Sequence, residues 1–263
     1  MKFTKMHGCG NDYIFVSESE IAGRDMSELA ILMSNRKKGI GSDGLIVIAP
    51  SDEADIKMIM YNSDGSRGKM CGNGIRCLAK YVFERKLVIK TKFNIETDSG
   101  IRPVRLYVNG NRVENVQVEM GAYSHLECKN YILDGKKYDL TYLEVGNPHC
   151  VIFVPKVENA LVDIIGSYLE KHEDFPNGVN TEFVEIVNRE TVRLRVWERG
   201  SGETLACGTG ACAAFAAGYV KGYFEEEINV VMSGGIVKTG IDNNSIIHLY
   251  GDANEVFSGD YMI

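Results

Sequence analysis

No segment of the 263-residue sequence approaches the roughly 20 consecutive apolar residues needed to span a bilayer. The amino terminus, MKFTKMHGCG, lacks the apolar core of a secretory signal. A cytoplasmic chain with no membrane partner is expected. Basic charge is scarce too: 29 Lys and Arg stand against 36 Asp and Glu, a formal net charge of −7. Nucleic-acid binding depends on clustered cations that neutralise phosphates, so no nucleic-acid partner is expected. The seven cysteines are odd in number and belong to a long chain, which does not suggest a disulfide framework and leaves free thiols as the default. Phosphate-binding loops of the G-x-x-x-x-G-K-[ST] or strand-G-x-G-x-x-G type are missing. The C-x5-C and C-x4-C spacings of Cys71/Cys77 and Cys207/Cys212, without a nearby histidine, give no zinc pattern, so no metal is expected. Hydrophobic content of 44% and charged content of 25% are those of an ordinary globular chain, long enough for one large domain or two of usual size.

What the sequence does contain is a repeat. Met70-Cys-Gly-Asn-Gly74 resembles Ala206-Cys-Gly-Thr-Gly210, and from Cys71 to Cys207 the offset is 136 positions. Gly10-Asn11 before Tyr13-Ile-Phe-Val16 keeps that offset to Gly146-Asn147 before Cys150-Val-Ile-Phe-Val154. The helix-like stretch Met26 to Lys37 falls on Val162 to Glu173, and Asn62 falls on Glu198. Repeated anchors at one spacing indicate a duplication. Alternating runs such as Val113 to Met120 and Val192 to Val196 predict half-buried strands, and strands dominate. After Cys71, apolar residues recur with helical period; after Cys207, Ala211 to Val220 is apolar nearly all round, the mark of a buried helix. The expected fold is α+β: two pseudo-symmetric lobes, each a curved, mostly antiparallel or mixed β-sheet wrapped around a central helix with a cysteine at its amino end. We place the lobes at 1–117 and 118–252, with about 253–263 returning to the first and the active site between them.

A cysteine at a helix amino terminus meets unpaired N–H groups and the positive end of the helix dipole, which favour thiolate and lower the thiol pKa towards neutrality. The flanking glycines let a substrate approach the backbone, and the same N–H groups suit a carboxylate. Two such thiols facing one α-carbon could remove a proton from one face and return one to the other, the requirement of racemisation. Taken singly, a cysteine is more often an inert small hydrophobe, and Cys77 and Cys212 keep that reading. A lone histidine such as His149 is usually structural or solvated, and Glu198-Arg199 at a strand end would ordinarily be an exposed ion pair. No lysine stands out as a Schiff-base candidate for pyridoxal phosphate.

These residues carry a family resemblance. Met6-His-Gly8 with Gly10-Asn-Asp12, Asn62-Ser-Asp-Gly-Ser66, Met70-Cys-Gly-Asn-Gly-Ile-Arg-Cys77, Gly146-Asn-Pro-His149, Trp197-Glu-Arg-Gly200 and Ala206-Cys-Gly-Thr-Gly-Ala-Cys212 together resemble the diaminopimelate epimerases from end to end. The resemblance implies interconversion of LL- and meso-2,6-diaminopimelate, for lysine and peptidoglycan, by a chain with no metal or pyridoxal cofactor and as a homodimer. It implies Cys71 and Cys207 as the two bases, with His149 tuning Cys71 and Glu198 tuning Cys207. It gives Gly72, Asn73, Gly208 and Thr209 to the reacting amino acid, and Asn11, Asn62, Asn147, Asn180, Glu198 and Arg199 to the remaining polar atoms, including the distal ammonium and carboxylate. Arg199 suits that carboxylate because its planar fork reaches both oxygens.

The chain departs from the family pattern in three places. Arg67 stands where many members have Glu, Asn180-Thr-Glu-Phe183 replaces the more usual Asn-Val-Asn-Phe, and Asp43-Gly44 stands where some place a glutamine. Two other functions compete: another two-thiol racemase of the same fold, acting on histidine or proline, and a non-catalytic binding or thiol-redox module in which the thiols form a disulfide. The distal polar set disfavours the first, because histidine and proline lack a second zwitterionic end.

Overall fold

The structure, a computed structural model, describes residues 1–21, 23–133 and 136–262. It divides into two compact units, Met1–Val118 with Gly251–Ile263, and Glu119–Tyr250. Among the described residues no helix is long and apolar enough to cross a membrane.

The first unit contains β1 (Lys2–Gly8), β2 (Asn11–Ser17), α1 (Glu18–Ile21), α2 (Met26–Ser34), β3 (Gly44–Ala49), β4 (Ile56–Asn62), β5 (Arg67–Gly68), α3 (Gly72–Glu84), β6 (Lys92–Thr97), β7 (Gly100–Asn109) and most of β8 (Arg112–Gly121). The second contains β9 (Ser124–Leu133), β10 (Lys136–Glu144), β11 (Pro148–Phe153), α4 (Val162–Glu170), β12 (Asn180–Asn188), β13 (Thr191–Glu198), β14 (Gly202–Thr204), α5 (Gly208–Val220), β15 (Glu227–Met232), β16 (Gly235–Ile241) and β17 (Ile247–Gly251). A last strand, β18 (Asn254–Asp260), returns to the first unit and pairs antiparallel with β1.

Strand order repeats the duplication. In the first unit β1 and β2 pair antiparallel, β2 and β3 parallel, β3 and β4 antiparallel, β4 and β6 parallel, and β6, β7 and β8 antiparallel. From β10 to β17 the second unit follows the same sequence of senses. Register repeats too: Tyr13 lies opposite Gly44 in the first parallel pair and His149 opposite Asn180 in its counterpart, each partner displaced by the same 136 positions. Both units are therefore mixed sheets of α+β character.

Each sheet is covered by two kinds of helix. Leu29, Ala30 and Met33 of α2 pack on Ile14, Val16, Leu45 and Val47; Ile165 and Leu169 of α4 pack on Cys150, Ile152 and Phe183. The central helices are more deeply enclosed: Ile75, Cys77, Leu78, Ala79 and Val82 of α3, and an unbroken run from Ala211 to Gly218 in α5, are buried. Burial of one such large side chain as Phe215 contributes roughly 1.5–3 kcal/mol. Gly218 is required by that packing, since a Cβ there would stand 1.9 Å from the Phe224 ring.

The helix expected over Met26 to Lys37 ends earlier, at Ser34. Asn35 takes the C-cap, and its Oδ1 accepts from the Lys37 and Lys38 amides at 2.9 Å, a side-chain turn that replaces the next helical turn. Likewise α4 ends at Glu170 rather than Glu173, where the Lys171 and His172 amides close on Tyr168 and Leu169 carbonyls.

Candidate active site

Each unit carries a cysteine as the N-cap of its central helix. Cys71 has extended backbone (φ −134°, ψ 124°), and its Sγ accepts the Gly74 N–H at 3.5 Å. Cys207 matches it (φ −125°, ψ 115°), with the Gly210 N–H at 3.4 Å. The glycine two residues into each helix lets the strand beneath come close. A Cβ at Gly74 would meet Ile46 Cδ1 at 2.7 Å, and one at Gly210 would meet Glu182 Oε1 at 2.7 Å. The first-turn amides of a helix have no acceptor within it, so the backbone around Gly72 and Asn73, and around Gly208 and Thr209, can bind a carboxylate.

Around Cys71 the polar groups form a connected set. The half-buried Cys71 Sγ lies 3.2 Å from Asn11 Oδ1, and Asn73 Nδ2 donates to the same oxygen at 3.3 Å. Asn11 Nδ2 donates to Asp43 Oδ2 at 2.8 Å, and Arg36 Nη2 holds the other Asp43 oxygen at 2.8 Å. Buried Tyr13 is also hydrogen-bonded with Cys71, and its hydroxyl is pushed well above the usual phenol range, first by burial and then by charge on Cys71. It therefore stays a donor. Asn62 closes β4 opposite Gly44 and donates to Ser66 Oγ at 2.9 Å. Arg76, fully buried, clamps the first turn of α3: it donates to Gly72 O at 2.9 Å, Asn73 Oδ1 at 2.9 Å and Asp252 O at 3.2 Å. Arg67, one of the departures, is tied to Asp98 at 2.6 Å and to Tyr61 Oη at 3.1 Å.

The surroundings of Cys207 differ. The buried sulfur lies 3.5 Å from Thr209 Oγ1 and is hydrogen-bonded with Glu198, whose Oε1 also accepts from Thr204. His149, with no exposed surface, places Nδ1 2.7 Å from Glu182 Oε1 and Nε2 2.9 Å from Asn147 Oδ1. Asn180 joins Pro148 O to the Arg199 amide, through Nδ2 at 2.9 Å and Oδ1 at 3.0 Å. The exposed Arg199 guanidinium donates to Asn177 O at 2.7 Å.

Here the expectation of an acidic thiol fails. Burial pushes the Cys207 thiol well above the usual range, and the carboxylates of Glu198 and Glu182 push it further, against smaller opposing effects from Thr209 and the Gly210 amide. The helix terminus is present, but desolvation and two nearby negative charges outweigh it. Burial likewise raises the Glu198 carboxyl.

Within the first unit the structure brings together Cys71, Gly72, Asn73 and Asn11. Within the second it brings together Cys207, Gly208, Thr209, Glu198, His149 and Asn147, with Asn180 and Arg199 beside them. Sequence reasoning missed Tyr13 and Arg76, and singled out Asp43 and Glu182 only as departures from the family pattern, with no role. The repeat held a signal for the first, since Tyr13 occupies the position of His149 one offset earlier. Among the described residues no group of three or more His, Cys, Asp or Glu side chains is arranged to hold a metal ion.

Comparison with known proteins adds the family. The model for "Diaminopimelate epimerase" matches residues 3–126 and 141–256. A diaminopimelate epimerase of Agathobacter rectalis is 43% identical and is covered, like this chain, over its full length. One of Acetivibrio thermocellus is also 43% identical, over 99% of this chain and 98% of that protein. Among solved structures, a PhzF-family phenazine biosynthesis protein of Bacillus anthracis superposes with a TM-score of 0.76 at 19% identity, covering 100% of this chain and 99% of the other, and so shares the fold.

Proposed function

The chain belongs to the diaminopimelate epimerase family, and from that premise we propose that it interconverts LL- and meso-diaminopimelate by a two-base mechanism using Cys71 and Cys207. It is an isomerase acting on a small amino acid. The observation that carries the mechanism is the repeated cap: in both units a thiol opens the central helix, with a glycine amide on its sulfur.

In the forward direction one cysteine, as thiolate, takes the α-proton and becomes a thiol. The other, starting as a thiol, gives its proton to the opposite face and becomes a thiolate. Proton count is unchanged, and the pair is left poised for the reverse reaction. The buried setting of Cys207 beside two carboxylates supports it as the resting thiol, which gives the thiolate role to Cys71. The hydrogen bond between Glu198 and Cys207 supports Glu198 as the proton partner of that thiol; His149 takes the same role for Cys71. Amides around Gly72, Asn73, Gly208 and Thr209 hold the reacting carboxylate. Asn11, Asn62, Asn147, Asn180, Glu198 and Arg199 serve the other polar atoms. The reading includes a cytoplasmic homodimer that needs neither a metal nor pyridoxal phosphate, since the thiols supply both acid and base.

Proton NMR of the reduced protein with LL-diaminopimelate in D2O tests this. Loss of the α-proton signal with appearance of the meso isomer is expected. Exchange with histidine or proline alone would keep the mechanism and overturn the substrate, and no exchange with any amino acid would overturn both.

A further inference from the structure

A duplicated chain supplies its own comparison for each buried position, and one of them differs in chemistry. Because the two parallel strand pairs keep the same register, Glu182 on β12 is the counterpart of Ile46 on β3, and His149 on β11 the counterpart of Tyr13 on β2. Ile46 and Glu182 do the same packing job, each against the second glycine of the central helix. The first unit folds with an aliphatic side chain there. The second buries a carboxylate at 0% exposure. A buried polar pair has no stability advantage over a well-packed apolar residue, because desolvation offsets its attraction. Packing therefore gives no reason for Glu182.

Its contacts do. Oε1 lies 2.7 Å from His149 Nδ1, while Oε2, also buried, has no hydrogen-bond partner among the described residues. The other ring nitrogen, Nε2, faces Asn147 Oδ1 at 2.9 Å. Titratable groups face this cluster from two further elements: Glu198 on β13 attracts His149 and repels Glu182, and Cys207 at the start of α5 feels both carboxylates.

We propose that Glu182 is a positioning residue for the epimerisation: it holds His149 with Nδ1 protonated and leaves Nε2 as the one ring nitrogen that exchanges its proton. A carboxylate only accepts, so it fixes Nδ1 as a donor. The Asn147 amide carries an acceptor and a donor on one rotor, so it can serve Nε2 with or without its proton. One nitrogen is pinned and the other is free to change. The assignment rests on the reading above, in which His149 handles protons.

The test uses the full chain labelled with 15N-histidine, the His149→Asn variant identifying the His149 signals among the five histidines. The expected wild-type spectrum shows Nδ1 protonated at every pH at which the protein is active, with titration confined to Nε2. Glu182→Gln is expected to lower kcat on the order of 10- to 1000-fold, with KM within about threefold. Glu182→Asp, which keeps an acceptor-only group, should recover part of that loss. A bare Nδ1 in the wild type overturns the proposal even if a variant fails to fold. So does wild-type kcat in Glu182→Gln, or equal loss in the Gln and Asp variants together with a lowered Tm. A His149→Asn chain active at the wild-type rate would instead overturn the proton role of His149, a failure distinguishable from that of Glu182 alone.

Discussion

Replacing Arg76 by methionine should loosen the first turn of α3 more than any other part of the first unit. The guanidinium is fully enclosed and serves three oxygens, Gly72 O and Asn73 Oδ1 at 2.9 Å and Asp252 O at 3.2 Å, besides the weak acceptor Cys9 Sγ at 3.8 Å. Methionine fills most of the stem's volume and little cavity is left, so the loss is that of the hydrogen bonds. Each orphaned buried acceptor costs about 1–3 kcal/mol, and the lower end applies because removing the guanidinium also relieves its own desolvation. Gly72 O keeps the helical amide of residue 76, so Asn73 Oδ1 and Asp252 O at about 1 kcal/mol each give about 2 kcal/mol for Arg76→Met. That corresponds to roughly a thirtyfold rise in the exchange rate of amides that open with this turn. Hydrogen–deuterium exchange of a peptide covering residues 71–80, read by mass spectrometry, measures it directly. Exchange within about threefold of wild type would refute the reasoning, because it would mean that the Asn73 and Asp252 oxygens find other donors at no cost.

Two further predictions concern the thiols. Cys71→Ala and Cys207→Ala should each reduce α-proton exchange in D2O by at least about a hundredfold, whereas Cys77→Ala and Cys212→Ala should act through packing alone; equal loss from all four, with altered circular dichroism, would point to stability instead. Stability should also fall in alkali. Burial raises the thiols of Cys150 and Cys207 well above the ordinary value of 9.0 and pushes that of Cys77 up to about 12. A raised folded-state pKa means that the folded chain binds more protons, so this stability is fully present below about pH 8.5 and is lost as pH rises towards the folded values. Urea midpoints measured across that range should stay level and then decline; a flat profile to strong alkali would contradict the burial of these groups.

The duplication was legible because it is written in glycines, asparagines and cysteines, residue types with few substitutes at a cap or tight turn. Its offset survives in the structure down to the pairing of Tyr13 with Gly44 and His149 with Asn180. The burial of the two central helices was legible for the same kind of reason, since a run such as Ala211 to Ala217 offers no polar face. What escaped the sequence was the identity of polar partners. β12 is buried on both faces from Asn180 to Glu185, so it lacks the period-two pattern that would show where Glu182 points. Arg76 lies amid an apolar helix and has its acceptors at Gly72, Asn73 and Asp252, the last 176 positions away. Cys207 was seen correctly as a helix cap and misjudged as an acid, because position depends on local residues while acidity depends on desolvation and on carboxylates from β12 and β13.

The return of β18 to β1 has a consequence for how the protein is made. During synthesis β1 is followed directly by its partner β2, but its other edge waits for residues 254 to 260, which pair with residues 2 to 7. At about 5–20 residues per second that wait is on the order of tens of seconds, during which β1 exposes the unpaired backbone of an edge strand. The same closing segment brings Asp252, whose carbonyl completes the hold on Arg76 and hence on Gly72 and Asn73. The second unit, Glu119–Tyr250, is contiguous and waits for no later segment; the hold on Gly72 and Asn73 beside Cys71 is completed only when residues 251–260 have been made, so a chain that stops before them carries Cys71 and Cys207 with the first thiol's surroundings unfinished.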